Sequence, residues 1–181
     1  MKLPTREQCL EFYLELNTPD NIIRHVLLVN KVAIFLAREL RKKGVEVNIN
    51  LVDRASLLHD LDKWLCINDK DINHGFETER ILTRKGFPEV GFFARQHRAD
   101  LVLEHLGTWE EKIINYADKR VQHDKITTMK KRQEYFRIRY PTKDPAKREK
   151  IESLARKLEQ EIFSKLDFGQ DELEQRMNSQ K

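Results

Sequence analysis

The sequence predicts an all-α fold, in the form of a helical bundle followed by a C-terminal helical extension. Apolar residues recur every three or four positions along most of the chain, which is the spacing of amphipathic helices. Proline and capping residues precede several of these stretches and glycine follows them, as at helix starts and ends. With 181 residues, 39% of them hydrophobic, the chain fits one domain. We place the bundle at residues 1–140 and the extension, an amphipathic helix with a polar tail, at residues 141–181.

The composition limits where the protein acts. No apolar run approaches the roughly 20 residues that span a bilayer, and the first residues do not lead into a signal-peptide hydrophobic segment. Cys9 and Cys66 lack CxxC spacing, which fits reduced thiols. We therefore expect a cytoplasmic protein that does not bind membranes. The net charge of +4 is modest for this length and is compatible both with a protein that binds phosphate groups and with one that does not.

The first two helices have clear start signals. Thr5 begins a capping-box pattern that predicts a short helix to about Leu16. Thr18–Pro19 and Gly44 bound a second, much longer helix. On that helix His25 shares a face with apolar residues and should point toward the core. A lone histidine there is either a satisfied core residue or a ligand.

The next helix carries the most unusual residues of the chain. Residues 45–49 form a possible strand, and Asn50 is the expected N-cap of the helix. His59 and Asp60 lie in the apolar context of that helix. Burying an ionised carboxylate costs several kcal/mol unless a partner offsets the charge. A metal ion is such a partner and also suits a neutral imidazole, so we interpret the pair as candidate ligands.

Two further histidines follow at the next helices. Residues 66–73 are polar and predict a loop that ends at His74, before a helix closed by Gly86. Pro88 begins another helix, whose interior is expected to include His97. Taken alone, His74 fits a solvated loop histidine as well as a ligand.

A capping-box pattern at Thr108 leads into a helix that places Asp118 on its buried stripe. An acidic residue at that position needs a partner, either a metal ion or a nearby lysine or arginine. We interpret His105 and His123 as ordinary helix or loop residues. Trp64, Trp109 and the pair Phe92–Phe93 are interpreted as core rather than as base-stacking surfaces.

The last third of the chain is more basic. Residues 130–139 predict a solvated helical face. Asp144–Pro145 begins an amphipathic helix that we expect to end at Gly169. The remaining residues, 170–181, are polar and are expected to fray.

The side chains with metal-ligand chemistry come from inward-facing positions on successive helices. They are His25, His59, Asp60, His74, His97 and Asp118. Mixed imidazole and carboxylate ligands suit divalent Fe, Mn, Ni, Co or Zn rather than Ca. The set is large enough for one ion, or for two ions that share a carboxylate.

This order of residues resembles the HD-domain (HDIG-like) metal-dependent phosphohydrolases. The family pattern is a histidine, a His-Asp pair and a distant aspartate on a helical bundle. His59-Asp60-Leu61-Asp62-Lys63 is similar to its HD-x-x-K form, and His74 and His97 lie where two-metal members have further histidines. The resemblance covers residues 21–121.

The resemblance implies a binuclear site. His25, His59, Asp60 and Asp118 would hold the first metal ion, and His74 and His97 the second, with Asp60 shared. Two positions depart from the family pattern. Arg98 stands where a second histidine is common, and Asp62 stands where a glycine is common.

The implied function is hydrolysis of a phosphoester or phosphoanhydride in a small phosphorylated molecule, in our interpretation a nucleotide. Water bound to the metal would attack phosphorus in line. Besides Asp60, the expected catalytic residues are Lys63, which would hold a phosphate oxygen, and Asp62, which would relay a proton. Arg98 and Lys119 are further candidates for binding phosphate.

Two other functions remain open. A helical module could bind nucleic acid through the basic segment 125–139, with the ligand set structural or empty. A degenerate member of the family could bind a nucleotide without cleaving it.

Overall fold

The computed structural model describes residues 1–104 and 106–179, and their regular structure is helical except for one short hairpin. The hairpin pairs the two-residue strands β1 (Val121–Gln122) and β2 (Lys125–Ile126) in antiparallel register. The prediction of an all-α fold is therefore confirmed. His105 lies outside the described residues.

The helices are bounded as follows in chain order. They are α1 (Arg6–Glu15), α2 (Asp20–Lys42), α3 (Ile49–Leu57), α4 (Lys63–Asn68), α5 (Phe76–Arg84), α6 (Pro88–Arg95), α7 (Trp109–Lys119), α8 (Met129–Arg139), α9 (Pro145–Phe163) and α10 (Leu173–Asn178), with 3₁₀ turns at Ala99–Leu103 and Gln170–Glu172. Among the described residues, none of these helices combines the length and apolar character that crossing a membrane requires.

Several helix starts follow the capping signals of the sequence. Thr5 and Thr108 each form a complete capping box, in which the hydroxyl accepts from the third helical amide. The Asp144 carboxylate caps α9, with Pro145 at the first position. These caps satisfy backbone amides that have no partner within the helix, so these three start signals are confirmed. The start of α2 differs by one residue, because Pro19 rather than Thr18 is its N-cap.

Two apolar clusters form the core, and α2 contributes to both. Val26 packs in a cluster with the buried residues of α1, α3 and α6. Val29 and Leu36 pack in a second cluster with α7 and α9, where Ile162 is fully buried. His25 is next to Val26 on the same helix, close to where the two clusters meet.

Two predictions around α3 are wrong. Asn48 rather than Asn50 caps the helix, because its side-chain oxygen accepts from the amide of Leu51. Residues 45–49 form no strand, since no neighbouring strand pairs with them in the described part of the chain. Instead Val47 packs into the core, and the segment serves as the connection between α2 and α3.

The end of the chain also differs from expectation. α9 ends at Phe163 rather than at Gly169, because the chain turns and the ring of Phe168 packs 5.7 Å from that of Phe163. Within the tail, residues 170–178 are helical rather than frayed, and Leu173 is fully buried. Met177 of the same tail also packs against the core, and the polar composition of the tail gave no sign of either contact.

The aromatic residues divide between core and surface. Trp64 and Trp109 are half-buried and pack against the two clusters, as predicted. Phe92 is exposed, contrary to the prediction, and the guanidinium of Arg95 lies over its ring.

Candidate metal centre

The structure brings the predicted ligand side chains together at one place. We name this group the His–Asp cluster: His25, His59, Asp60, His74, His97 and Asp118. Its members come from α2, the turn after α3, the loop before α5, the turn after α6, and α7. His59 is fully buried, and Asp60 and His97 are 5% and 4% exposed. Packing of helices far apart in sequence therefore builds the cluster.

The turn between α3 and α4 carries His59 and Asp60. The sequence placed both residues inside a helix, but α3 ends at Leu57. Leu58 and Leu61, both fully buried, hold the turn against the core on either side of the pair. Both polar side chains are thereby fixed at the cluster rather than in solvent.

Each of the four histidines of the cluster forms a hydrogen bond through its Nδ1 atom. The bonds run from His25 to the carbonyl of His123 (2.8 Å), from His59 to that of Ser56 (2.7 Å), from His97 to that of Ala94 (2.9 Å), and from His74 to the carboxylate of Asp62 (2.7 Å). Carbonyl and carboxylate oxygens only accept, so each Nδ1 carries the proton. In the neutral rings each Nε2 is then left with a lone pair, which is the arrangement of metal-binding histidines.

The four Nε2 atoms converge on the two oxygens of Asp60. Oδ2 lies 3.7 Å from His59 and 3.9 Å from His25. Oδ1 lies 3.2 Å from His74 and 3.6 Å from His97. One carboxylate thus faces two different histidine pairs, one with each oxygen.

Asp118 completes the group around His25 and His59. Its Oδ1 lies 3.2 Å from Nε2 of His25 and 3.8 Å from Nε2 of His59. An Nη atom of Arg132 lies 3.8 Å from the same oxygen. This half of the cluster therefore offers two imidazoles and two carboxylates.

The atoms of the cluster fit divalent metal ions. Nε2 of His59 is buried without a hydrogen-bond partner among the described residues. The Nε2 atoms of His74 and His97 are 3.0 Å apart, so two lone pairs would face each other if both rings were neutral. Ligand atoms about 2.0–2.2 Å from a shared ion lie about 3.0–3.6 Å from one another, close to the spacings observed here. Among the described residues, three groups of side chains are close enough to hold an ion. Two of them, His25–His59–Asp60 and Asp60–His74–His97, lie within the cluster, and the third is Asp62–Cys66–His74.

Burial and charge shift the pKa values within the cluster. Burial lowers the pKa of His97 to about 3, helped by the neighbouring charges of His74 and His59. Burial also acts to lower the pKa of His74, but hydrogen bonds to Asp60 and Asp62 outweigh it and raise the value to about 9. Burial raises the pKa of Asp60, yet Lys63 and the histidines bring it well below its usual range. Without an ion, Asp60 is therefore ionised and His74 carries a second proton, on the Nε2 that faces Asp60.

Asp62 lies behind His74, on the ring nitrogen that faces away from Asp60. It is fully buried, and one oxygen accepts from the His74 ring. The other oxygen accepts from the amides of Gly75 at 2.6 Å and Thr78 at 3.1 Å. With both oxygens engaged in this way, Asp62 orients His74 in the structure. The proton relay that the sequence predicts for Asp62 stays a prediction.

Lys63 lies at the edge of the cluster that reaches solvent. Its Nζ is 3.9 Å from Oδ1 of Asp60, and its side chain is 36% exposed. The charge of Asp60 raises the pKa of this ammonium despite partial burial. A cation in this position can meet an anion that approaches from solvent.

Arg98 and Lys119 bond to the chain segments that carry the histidines. Arg98 pairs with Asp100 at 2.8 Å and also donates to the carbonyl of His74. Lys119 is 5% exposed and donates to the carbonyls of Asn115 at 2.7 Å and His97 at 3.2 Å. Burial lowers the pKa of Lys119 to about 8. Both predicted phosphate-binding residues are thus placed to support His74 and His97.

Two residues at the cluster were not recognised from sequence. His123 has a positive φ of 57°, and this backbone turn presents its carbonyl to His25. Arg132 was included in the predicted solvated face 130–139, yet it is only 9% exposed. No local pattern marks either residue, because both act through contacts with distant helices.

The chain matches known proteins along most of its length. The model of the HD domain matches residues 22–161. An uncharacterised protein of Methanocaldococcus jannaschii is 33% identical over 127 residues, which cover 59% of this chain and 73% of that protein. A tRNA (cytidine(56)-2'-O)-methyltransferase of Picrophilus torridus is 32% identical over 142 residues, which cover 71% of this chain and 39% of that protein. No solved structure matches significantly. The match to the family model, over more than half of the chain, shows that this protein belongs to the HD domain family.

Proposed function

We propose that the protein is a metal-dependent phosphohydrolase that cleaves a phosphoester or phosphoanhydride bond in a small phosphorylated molecule. Membership of the HD domain family supports metal-dependent phosphohydrolase chemistry in general. The observation that carries the proposal is the position of Asp60, whose two oxygens face the pairs His25–His59 and His74–His97. This arrangement suits two divalent ions from the group Fe, Mn, Ni, Co and Zn.

The residues of the cluster have separate parts in this reaction. When bound, divalent ions supply a Lewis acid and a water whose pKa falls to near neutrality. His25, His59 and Asp118 would hold one ion, and His74 and His97 the other, with Asp60 shared. Asp62 keeps the proton of His74 on Nδ1, which leaves Nε2 free to bind.

Lys63 is the residue we assign to the phosphate of the substrate. Its ammonium stands next to Asp60 at the solvent edge of the cluster. A phosphate that enters from solvent would meet this charge first, and an oxygen would be held while phosphorus is attacked. A nucleotide is the substrate class we propose, since a cavity with apolar and cationic side chains in its wall is lined by Arg132, which lies 3.8 Å from Asp118.

Metal content tests the proposal first. We would measure it by elemental analysis on the native protein and on Asp60→Ala, both purified without chelator or nickel resin. About two equivalents of transition metal in the native protein, lost in Asp60→Ala, is the expected result. The variant Asp71→Ala serves as the control, because it removes an exposed carboxylate from a nearby loop.

Activity is then measured with 4-nitrophenyl phosphate and nucleoside monophosphates, using the metal found. Hydrolysis that disappears with chelator and returns with the metal is expected. About one equivalent would keep the hydrolase proposal but leave His74 and His97 as positioning or substrate-binding residues. If no metal binds after reconstitution with Mn, Fe, Ni or Zn, the proposal is wrong.

A nucleic-acid-binding module is the second candidate. One relative carries the name of a tRNA methyltransferase, and Lys130, Lys131 and Arg139 of α8 are exposed. Binding to RNA oligonucleotides that weakens steeply with salt, with no metal bound, would favour this function. A third outcome, nucleotide binding without cleavage by the metal-loaded protein, would indicate a degenerate member of the family.

A further inference from the structure

The turn that carries His97 has backbone carbonyls that need hydrogen-bond donors. α6 ends at Arg95 and a 3₁₀ turn begins at Ala99, so residues 96–98 lie between two regular elements. Gln96 and His97 are 5% and 4% exposed, and buried carbonyls are almost always paired. In the described part of the chain, no backbone amide donates to either carbonyl. Side chains therefore supply the donors.

Asn115 of α7 donates to the carbonyls on both sides of His97. Its Nδ2 lies 2.7 Å from the carbonyl oxygen of Gln96 and 3.0 Å from that of Arg98. The amide nitrogen has two hydrogens, so it can give one to each carbonyl. Asn115 is fully buried, and no water competes for these bonds. A single side chain of α7 thus ties together the backbone before and after His97.

Lys119, one helical turn after Asn115, donates to the third carbonyl. Its ammonium lies 3.2 Å from the carbonyl oxygen of His97, and 2.8 Å and 2.7 Å from Oδ1 and the carbonyl oxygen of Asn115. An ammonium has three hydrogens, so each has an acceptor within the protein. Because Oδ1 of Asn115 faces a cation, turning the amide over would place its NH₂ against that charge. We name Asn115 and Lys119 the α7 pair.

The ring of His97 depends on this turn for its position. Its Nδ1 donates to the carbonyl of Ala94 at 2.9 Å, which sets the tautomer of the ring. Its Nε2 lies 3.0 Å from Nε2 of His74 and 3.6 Å from Oδ1 of Asp60. Metal ligands must lie within a few tenths of an ångström of their ideal distances from the ion. The α7 pair holds the backbone from which this ring projects.

The face of α7 that carries the pair also carries a ligand of the other half of the cluster. Positions 115, 118 and 119 lie on one face, because they are three and four residues apart. Oδ1 of Asp118 lies 3.2 Å from Nε2 of His25. Burying an ammonium and an amide costs more than burying apolar side chains, so packing of α7 against the turn does not by itself explain the pair. Its bonds instead define where the turn lies relative to Asp118.

We propose that Asn115, supported by Lys119, is a positioning residue that places the His97 ring for metal binding. The metal ion rests on the proposed function, whereas the placement of the ring can be measured without an ion. Asn115→Leu keeps a side chain branched at Cγ and removes both donors to the turn. The affinity of the His74–His97 half for its ion should then fall about 10–100-fold, and that of the other half should stay within about twofold.

Calorimetric titration with Co²⁺ measures both affinities on chelator-treated protein. Asn30→Leu is the matched control, because Asn30 is also a buried amide, 1% exposed, that donates to a backbone carbonyl at 2.8 Å, but in α2. If losing a buried amide merely weakened the fold, the two variants would behave alike. Asn30→Leu should leave the His74–His97 half within about twofold of its native affinity. Equal losses in the two variants, or native affinity in Asn115→Leu, would overturn the proposal.

A double-mutant comparison assigns the effect to His97. In protein that already carries His97→Ala, adding Asn115→Leu should change the affinity of the remaining site by less than about twofold. A further loss would show that Asn115 acts on another ligand and would reject the proposal.

Lys119→Met is the second variant, for the case that Asn115→Leu does not fold. It removes the donor to the His97 carbonyl and leaves Asn115 in place. Removing a cation would by itself strengthen the binding of a divalent ion, so weaker binding by the His74–His97 half indicates a displaced ring. Unchanged or stronger binding would overturn the proposal.

Nuclear magnetic resonance separates this proposal from the proposed function. Spectra of the ¹⁵N-labelled histidine rings are recorded on metal-free protein, with His97→Ala to assign the signals of that ring. Asn115→Leu should change the ring signals of His97 and leave those of His25 unchanged. If the native protein binds no metal and this change is seen, the positioning role stands without the hydrolase. Two ions bound with native affinities in Asn115→Leu, with unchanged His97 signals, would leave the hydrolase and reject the positioning role.

Discussion

At the scale of single residues, Asp62 shows how a carboxylate outside the cluster can set its chemistry. Asp62 accepts hydrogen bonds from Nδ1 of His74 and from two backbone amides. Both of its oxygens therefore hold the loop that carries His74. The opposite nitrogen of His74 then faces Asp60 at 3.2 Å. The tautomer of His74 thus depends on Asp62, a residue outside the His–Asp cluster.

The substitution Asp62→Asn tests this dependence. An asparagine that keeps its oxygen on the amides of Gly75 and Thr78 turns its NH₂ toward His74, which forces the proton onto Nε2. Metal affinity at the His74–His97 half should fall about 10–100-fold, with the other half unchanged. Titration of metal into the chelator-treated protein measures this, with Asp71→Asn as the control. Two sites of native affinity in Asp62→Asn would contradict the role given to Asp62.

The buried thiol of Cys9, which lies outside the His–Asp cluster, predicts a pH dependence of the stability of the protein. Burial raises the pKa of its thiol from near 9 to about 12. Because the fold favours the neutral thiol, its contribution to stability is complete below pH 9 and is lost as the pH rises toward 12. The loss should approach about 1.4 kcal/mol for each pH unit in this window.

Urea unfolding at several pH values measures the effect. The difference in unfolding free energy between the native protein and Cys9→Ala should shift in favour of the variant above pH 9. Cys66→Ala removes a less buried thiol, whose pKa is raised to about 11, and should change the pH profile less. Parallel profiles for native protein and Cys9→Ala would show that the thiol does not titrate in this way.

At the scale of elements, the start of α5 determines where His74 lies. Gly75 has a φ of +83°, and its amide donates to Asp62. A side chain at this position would also meet Arg98, since an added Cβ would lie 2.8 Å from the Arg98 Cδ. The loop therefore depends on both the left-handed backbone and the absence of a side chain.

Gly75→Ala should destabilise the protein more than Gly44→Ala. Both glycines have a positive φ, which costs an L-residue about 1–2 kcal/mol, but an added Cβ at Gly44 would have nothing within 4 Å. The excess loss in Gly75→Ala therefore measures the contact with Arg98, and metal content should fall with it. Urea unfolding and elemental analysis report the two effects. Equal losses and full metal content in both variants would show that the loop adapts.

At the scale of the whole molecule, α9 belongs to the same core as α2 and α7. Leu158, Ile162 and Phe163 are buried in the cluster that includes Val29 and Leu36. The predicted boundary between a bundle at 1–140 and an extension at 141–181 cuts through this packing. The boundary remains a prediction that a truncated chain can test.

A chain that ends at residue 144 should not fold. It loses three large buried side chains of α9, worth about 5–9 kcal/mol together. Because that is comparable with the total stability of about 5–15 kcal/mol, we expect circular dichroism to show no cooperative unfolding. A chain that ends at residue 179 keeps every described residue and is the control. A cooperative transition in the shorter chain would instead support the boundary at 140.

Features that depend on local sequence could be predicted, whereas features that depend on contacts between distant residues could not. Helix periodicity and caps are local, so the all-α fold and the caps at Thr5, Thr108 and Asp144 could be predicted from the sequence alone. The end of α9 could not, because it depends on the packing of Phe168 against Phe35, which belongs to the distant helix α2. Asn48 and Asn50 are equally good caps locally, and only the folded chain selects Asn48.

The same division holds at the candidate metal centre. By itself, the sequence determined which side chains could act as ligands, because imidazole and carboxylate chemistry is a property of residue type. Tertiary structure alone decided that each oxygen of Asp60 faces its own pair of histidines, that Asp62 orients His74, and that Arg132 lies beside Asp118. The physical reason is distance along the chain. His25 bonds the carbonyl of a residue 98 positions away, and helical periodicity carries no information about which distant elements pack together.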